Sequence, residues 1–364
     1  MKIRAAYVPE TNKLLVETLE LDAPKAGELL VRIRAAGVCH SDLHTLRGEL
    51  RTQPPLVLGH EGAGVVEAVG PGVTRFQPGD RVVINWLPGC HVCPTCQRGY
   101  ENICERLFST TFAGVMLDGT SRLHTTDGGF VKQYLSAATM AEYAVVPEDG
   151  AIPLLDGVPF DVGAIIGCAV ITGVGAVLNT AKVKEGSTAA VIGCGGIGLS
   201  AIQGCVVAGC TDIIAVDVLD EKLAFARELG ATDTINATKE DPVKALKERT
   251  NGGPNYVFDS VGSTRTIVQA LDAAGPAGVA TIMGLHGALE HASISPASLI
   301  FQNKSLLGSF AGTVKPLRDL PMLQRLYLSG RLQLDKLITK HYPLDGIAQA
   351  FEDMEAGKVA RGVL

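Results

Sequence analysis

Four cysteines in one short segment, Cys90, Cys93, Cys96 and Cys104, stand at C-x2-C-x2-C-x7-C. Thiolates that close repel one another unless a cation neutralises them, and four of them make a closed tetrahedral site for Zn2+. The spacing also permits an iron–sulfur cluster, but no electron-transfer pattern accompanies it, and zinc is favoured. All four positions would be protein ligands, so this site is expected to be structural. A second set is dispersed. It comprises Cys39 in Gly37-Val38-Cys39-His40-Ser41-Asp42, His60 in Gly59-His60-Glu61-Gly62, and Cys168 in Gly167-Cys168-Ala169-Val170. Two cysteines and a histidine leave a fourth position for water or substrate, the sphere of a catalytic zinc. Nothing local proves that the three meet. Each taken singly reads as well as a small buried hydrophobe or a hydrogen-bonded ring.

A third group of residues could hold a nucleotide. Gly193-Cys194-Gly195-Gly196-Ile197-Gly198 is G-x-G-x-x-G, follows the strand-like Thr-Ala-Ala-Val-Ile and opens a helix. Glycines there let the backbone approach a pyrophosphate at the helix N-terminus. Asp217 ends the next strand, 19 residues after Gly198. It can accept hydrogen bonds from the adenosine ribose, and its charge would repel a 2′-phosphate, so NAD is expected rather than NADP.

The strings G-V-C-H-S-D, G-H-E-G-A-G-V-V, G-C-A-V-I-T-G and G-C-G-G-I-G, with the four-cysteine loop, occur in order along essentially the whole chain. As a set they resemble the zinc-containing medium-chain alcohol dehydrogenases, in the NAD-dependent, long-loop branch of class I and III type. The resemblance implies a β-rich GroES-like catalytic domain and a doubly wound Rossmann domain. It implies that Cys39, His60 and Cys168 bind the catalytic zinc and the four-cysteine loop a structural one, two zinc ions per chain. Glu61 would lie just behind the catalytic metal, and Asp42 would orient His60. Lys222 would stand near the adenosine ribose, Thr172 and Ile197 beside the nicotinamide, and His40 and Arg361 at the pyrophosphate. Ser41 would pass the alcohol proton, through the nicotinamide ribose, to His44 at the surface.

The same resemblance places Trp86, Leu50, Ser109, Leu285 and Phe310 around the substrate. Trp86 is a flat apolar wall suited to primary aliphatic, allylic or benzylic alcohols. Where glutathione-dependent formaldehyde dehydrogenases carry an arginine, this chain has Phe108. Their acidic residue is replaced by Leu50. Both departures argue against a glutathione adduct. Another thiol carrier stays open, because Arg106 and Arg122 lie in the same region. A third reading is a zinc- and nucleotide-binding protein without turnover, against which the open metal sphere and the relay speak.

The elements that must position these groups follow from pattern. With 364 residues, the chain is too long for one ordinary core and fits two domains. Strand patterns at Glu28–Arg34, Gly62–Val69 and Asp80–Asn85 make the first third β-rich, while 86–140 reads as irregular. From about residue 170, strands and helices alternate: Thr188–Gly193, Ile197–Ala208, Asp212–Asp217, Glu221–Leu229, Asp233–Asn236, Tyr256–Asp259, Val279–Met283 and Ser305–Phe310. Alternating βαβ units mean a parallel sheet. We therefore expect residues 1–169 and 310–364 to form one discontinuous catalytic domain around a dinucleotide-binding domain at 170–309. A net charge of −6 without a basic patch excludes a nucleic-acid reader. We expect no membrane span: the stretch Ala189–Ala208 comes near in hydropathy, but its glycines make it a buried strand–turn–helix. The start Met1-Lys2-Ile3-Arg4 runs into a strand pattern, not a leader. Nine cysteines, an odd number, with metal-like spacing fit a reducing cytoplasm. The partners expected are a small alcohol or aldehyde and, by resemblance, further copies of the chain as a homodimer or homotetramer.

Overall fold

The computed structural model describes residues 1–285 and 290–364. Two units divide the chain. The first comprises Met1–Cys168, Lys315–Gly330 and Leu334–Leu364; the second comprises Ala169–Val314 and Arg331–Gln333. The chain leaves the second unit at Val314 rather than near 310. Gly312 lies so close to the helix Ile171–Gly175 that a Cβ there would come within 2.1 Å of the Ile171 carbonyl oxygen.

In the first unit, strands Lys2–Val8, Leu15–Leu21, Leu123–His124, Phe130–Gln133 and Leu56–Val57 close a barrel. A second sheet runs in the order Ala151–Pro153, Arg81–Ile84, Glu61–Val69, Glu28–Gly37, Arg361–Val363, Ile338–His341, with Tyr143–Pro147 also paired to Glu28–Gly37. One apolar cluster, including Ile3, Leu19, Val57, Leu123 and Val131, contains residues from all five barrel strands. Another, including Val31, Val66, Val82 and Val146, lies on the sheet. The segment 86–140 is not wholly irregular, since two barrel strands fall within it. They are two and four residues long, too short to show alternation. Two register positions matter for the site: Gly37 pairs with Glu61 on one side and with Val363 on the other.

The second unit is a six-stranded, all-parallel sheet. Its order is Asp233–Asn236, Asp212–Asp217, Thr188–Ile192, Tyr256–Asp259, Val279–Ile282, Ser305–Gly308. Reading outward in both directions from the first strand, this is the doubly wound order that leaves a crevice at the strands' carboxyl ends. Its core includes Ile192, Ile214, Val216, Ile235 and Val257. The helix Gly196–Ala208 follows the first strand.

The membrane reading needs one correction. A helical run at Phe160–Ala181, rather than Ala189–Ala208, is long and apolar enough to cross a membrane by length and composition. In its most apolar window, 89 % of the residues are buried inside the protein, as in a core helix.

Candidate active site

Three different elements deliver the dispersed metal set. Cys39 is the extended residue before the helix His40–Leu46. His60 precedes the strand Glu61–Val69. Cys168 sits in a widened π turn, Ile166–Val170, of the kind that often marks functional positions. Glycines permit the approach. A Cβ on Gly37 would fall 2.0 Å from Glu61 Oε2, and one on Gly167 would fall 2.7 Å from the Ile84 carbonyl oxygen. Ligand atoms of Cys39, His60, Glu61 and Cys168 consequently lie within 4.8 Å of one another, all buried. His60 Nε2 is 3.3 Å from Cys168 Sγ. Ligands of a single tetrahedral ion stand about 3–4 Å apart, given bonds of about 2.0–2.3 Å.

The other face of His60 is also specified. Its Nδ1 meets Asp42 Oδ1 at 3.2 Å, and the same oxygen accepts from Gly59 N at 3.0 Å. Trp86 and Tyr134 each stand edge-on to the ring, at 5.7 and 5.6 Å between centroids. Burial of these groups displaces their proton affinities. The hydrogen bond from Cys168 draws the Cys39 thiol well below its usual range, and the same contact with burial pushes Cys168 well above it. Burial pushes Glu61 up to about 7, against the pull of Arg361. Asp42 Oδ2, Glu61 Oε1 and Arg361 Nε are buried without a hydrogen-bond partner. Two thiols, an imidazole and the Glu61 carboxylate within 4.8 Å of one another fit a divalent, thiolate-accepting cation such as zinc.

The four-cysteine loop converges equally: Cys90, Cys93, Cys96 and Cys104 bring their sulfurs within 4.8 Å. Backbone N–H groups point at them. Cys93 N donates to Cys90 Sγ at 3.2 Å, Cys96 N to Cys93 Sγ and Cys90 N to Cys104 Sγ at 3.4 Å. The N–H groups of Glu105 and Cys96 pull the Cys93 thiol down to about 6, while burial pushes Cys96 up to about 12. Four sulfurs complete a tetrahedron and leave no open position.

In the second unit the fingerprint has the geometry a pyrophosphate needs. Gly193 is left-handed at φ +90, and a Cβ on Gly198 would strike the Gly193 carbonyl oxygen at 1.8 Å. A Cβ on Gly195 would meet nothing within 4 Å. No side chain caps the helix that begins at Gly196, so its first N–H groups remain for an anion. Asp217 is held by three backbone donors: Cys194 N at 2.7 Å, Val218 N at 2.7 Å and Leu219 N at 3.1 Å. Lys222 is close enough to Cys194 to act on its thiol together with Asp217. Thr172 is buried on the helix that Gly173 allows to touch the Ile197 carbonyl.

The remaining expected residues are distributed as follows. Ser41 Oγ lies 3.8 Å from Cys39 Sγ. His44 is on the same helix, its Nδ1 paired with Glu49 Oε2. His40 is exposed, 6.4 Å from the His44 ring. Arg361, expected at the pyrophosphate, is buried and donates from Nη2 to Glu61. Of the expected pocket, Trp86 is beside His60, and Leu50 and Ser109 belong to the first unit. Leu285 and Phe310 are exposed in the second unit. Arg122 is unavailable to a thiol carrier: it is wholly buried, with Nε and Nη2 on Glu28 at 2.9 and 2.5 Å and Nη2 also on Asp118 at 2.9 Å. Arg106 remains exposed, and Arg51 lies 5.7 Å over the Phe108 ring. Sequence reasoning missed Tyr134 and Thr139. The glycines flanking His60-Glu61 were the available signal, because they imply a close backbone neighbour.

Comparison with known proteins places these sites in context. The alcohol dehydrogenase GroES-like domain family matches residues 25–156, and the zinc-binding dehydrogenase family matches residues 196–326. An alcohol dehydrogenase class-3 of Myxine glutinosa is 40 % identical over 366 residues, covering 99 % of this chain and 97 % of that one. The benzyl alcohol dehydrogenase of Acinetobacter calcoaceticus superposes with a TM-score of 0.95 at 34 % identity, covering 100 % and 99 % of the two chains. A structure from Sinorhizobium meliloti 1021 bound to NADP matches at 0.85 and 26 %, with 100 % and 99 % covered.

Proposed function

Because the chain belongs to the zinc-containing medium-chain alcohol dehydrogenases, we propose that it oxidises primary aliphatic, allylic or benzylic alcohols to aldehydes, reversibly, with NAD. The convergence of Cys39, His60 and Cys168 beside a Glu61 carboxylate that Arg361 holds carries this reading. Those three residues would hold the catalytic zinc and Cys90, Cys93, Cys96 and Cys104 a second ion. Residues 193–198 and Asp217 would hold the dinucleotide. When bound, the zinc would supply Lewis acidity toward an alcohol hydroxyl and the nicotinamide would supply a hydride acceptor. Asp42 fixes the His60 ring so that Nε2 faces the ligand set. Ser41 Oγ would accept the proton while passing its own hydroxyl proton on toward His44, three residues further along the same helix face, which would release one to water with Glu49 holding its ring. Trp86 supplies a flat apolar face beside His60, which favours unbranched and planar substrates over bulky secondary alcohols.

The carboxylate of Asp217 supports NAD over NADP. The free thiols support a reducing compartment. Dehydrogenation of an S-hydroxymethyl thiol adduct would use the same chemistry and stands as a second reading through the exposed Arg106, now without Arg122. The test is appearance of reduced nicotinamide with benzyl alcohol, ethanol, and formaldehyde with and without low-molecular-weight thiols. Turnover of the plain alcohols supports the proposal. Turnover only of formaldehyde with a thiol selects the second reading, and no turnover of any substrate overturns both.

A further inference from the structure

We infer that a backbone strap, Tyr134–Met140, positions His60, and that the Thr139 hydroxyl is the group through which it sets how tightly the catalytic metal is held. The inference rests on Cys39, His60 and Cys168 being metal ligands.

The strap bonds the chain on both sides of His60. Thr139 N donates to the Gly59 carbonyl at 3.0 Å, and Met140 N to the Leu58 carbonyl at 3.0 Å. Thr139 Oγ1 donates to the Glu61 carbonyl at 3.0 Å. Thr139 itself is fully buried. The seat is flush. A Cβ on Gly59 would meet Met140 N at 2.3 Å, and one on Gly62 would meet Thr139 Cγ2 at 2.6 Å. Both glycines of Gly-His-Glu-Gly are therefore required by the strap rather than by the metal. At its other end Tyr134 stands perpendicular to the His60 ring and donates from Oη to the Ser41 carbonyl at 3.2 Å.

The strap's own backbone is unusual. Leu135, Ser136 and Ala138 are left-handed, at φ 51, 54 and 52, a region non-glycine residues seldom occupy. Such conformations persist where surrounding contacts impose them and cluster at functional sites. Here the imposing contacts are Ser136 Oγ to the Val115 carbonyl at 2.7 Å and Gln133 N to the Gly114 carbonyl at 2.9 Å. The strap is anchored on its outer side and pressed against the ligand segment on its inner side. Residues that hold a ligand rather than bind the metal typically change metal affinity by about 10–100-fold when lost.

The experiment measures zinc release from the holoenzyme to a coloured chelator, with the open-site phase identified by its loss in Cys168→Ala. Thr139→Val keeps the shape and removes the hydroxyl. It is expected to speed the open-site phase at least about tenfold, to leave the four-cysteine phase unchanged, and to shift the visible bands of the cobalt-substituted protein. Thr139→Ser, which keeps Oγ, is expected to restore wild-type release and spectrum. Tyr134→Phe is the companion variant should Thr139→Val not fold, and it too is expected to speed only the open-site phase. Wild-type release with an unchanged cobalt spectrum in the variant that folds overturns the inference. Equal acceleration of both phases overturns it as well, because Thr139 would then be a general stability element. A wild-type chain that holds a single zinc refutes the ligand reading itself and takes the inference with it.

Discussion

Replacing Asp217 with glycine tests the cofactor reading most directly. Its carboxylate already accepts from three backbone N–H groups, two on Oδ1 and one on Oδ2. An ionised carboxylate offers about four lone-pair sites, which leaves about one for a ribose hydroxyl. A hydrogen bond to a charged group is worth about 1.5–3 kcal/mol. At about 1.4 kcal/mol per factor of ten, Asp217→Gly should weaken NAD binding by about 10–150-fold. NADP should bind no more weakly than before, because the charge that repels its 2′-phosphate goes with the same side chain. Asp217→Asn removes the charge and keeps one acceptor, so its NAD affinity should fall between wild type and Asp217→Gly. Calorimetric titration of each of the three proteins with both dinucleotides gives six constants, and a melting curve checks that the fold survives. A wild type that prefers NADP refutes the reasoning. So does an Asp217→Gly variant whose NAD affinity changes by less than about threefold, since one hydrogen bond to a charged group is worth more than that.

Elemental analysis should return about two zinc per chain, with Cys168→Ala losing one and its turnover, and Cys96→Ala losing thermal stability; iron, or one metal in wild type, counts against both sites. His44→Ala should bind zinc and NAD normally yet oxidise alcohol about tenfold more slowly in single turnovers, with imidazole buffer restoring part of the rate; no response to added base excludes the relay. Arg122→Met strands the buried Glu28 carboxylate and should cost about 3–5 kcal/mol of stability in denaturant titration, while adding Glu28→Gln should recover most of it; additive losses would show that the pair is not coupled. Homo-oligomers are expected through the edge strand Ser305–Gly308 and the neighbouring Ile300 and Phe301, which are 72 % and 87 % exposed; light scattering at the 38.1 kDa of one chain rules that out.

The parallel sheet was legible because its signal is local. Apolar strands, helices and a glycine turn repeat at short range, and each expected strand there appears within two residues. The metal ligands were legible only as strings, since Cys39, His60 and Cys168 come from three elements with no shared periodicity. What stayed hidden joins residues far apart in sequence. Arg122 reaches Glu28 across 94 positions, and Thr139 reaches Glu61 across 78. Neither pairing leaves a trace in composition or spacing. The helical run Phe160–Ala181 was also unread, because an apolar face buried all round has no amphipathic period to detect.

Arg361 gives Glu61 its buried counter-charge from 300 residues further along the chain. Protein synthesis is directional, at about 5–20 residues per second, so Glu61 emerges about 15–60 s before its partner exists. Throughout that interval Cys39, His60 and Cys168 can be made while the carboxylate behind them has no guanidinium to face. The second unit, Ala169–Val314, can complete its sheet in the same window, because its strands come from one continuous stretch. The nascent chain is thus expected to acquire a nucleotide fold before a finished metal pocket. Ribosome-arrested chains cut short of Arg361 should retain zinc in the four-cysteine loop and lose it readily from the other set.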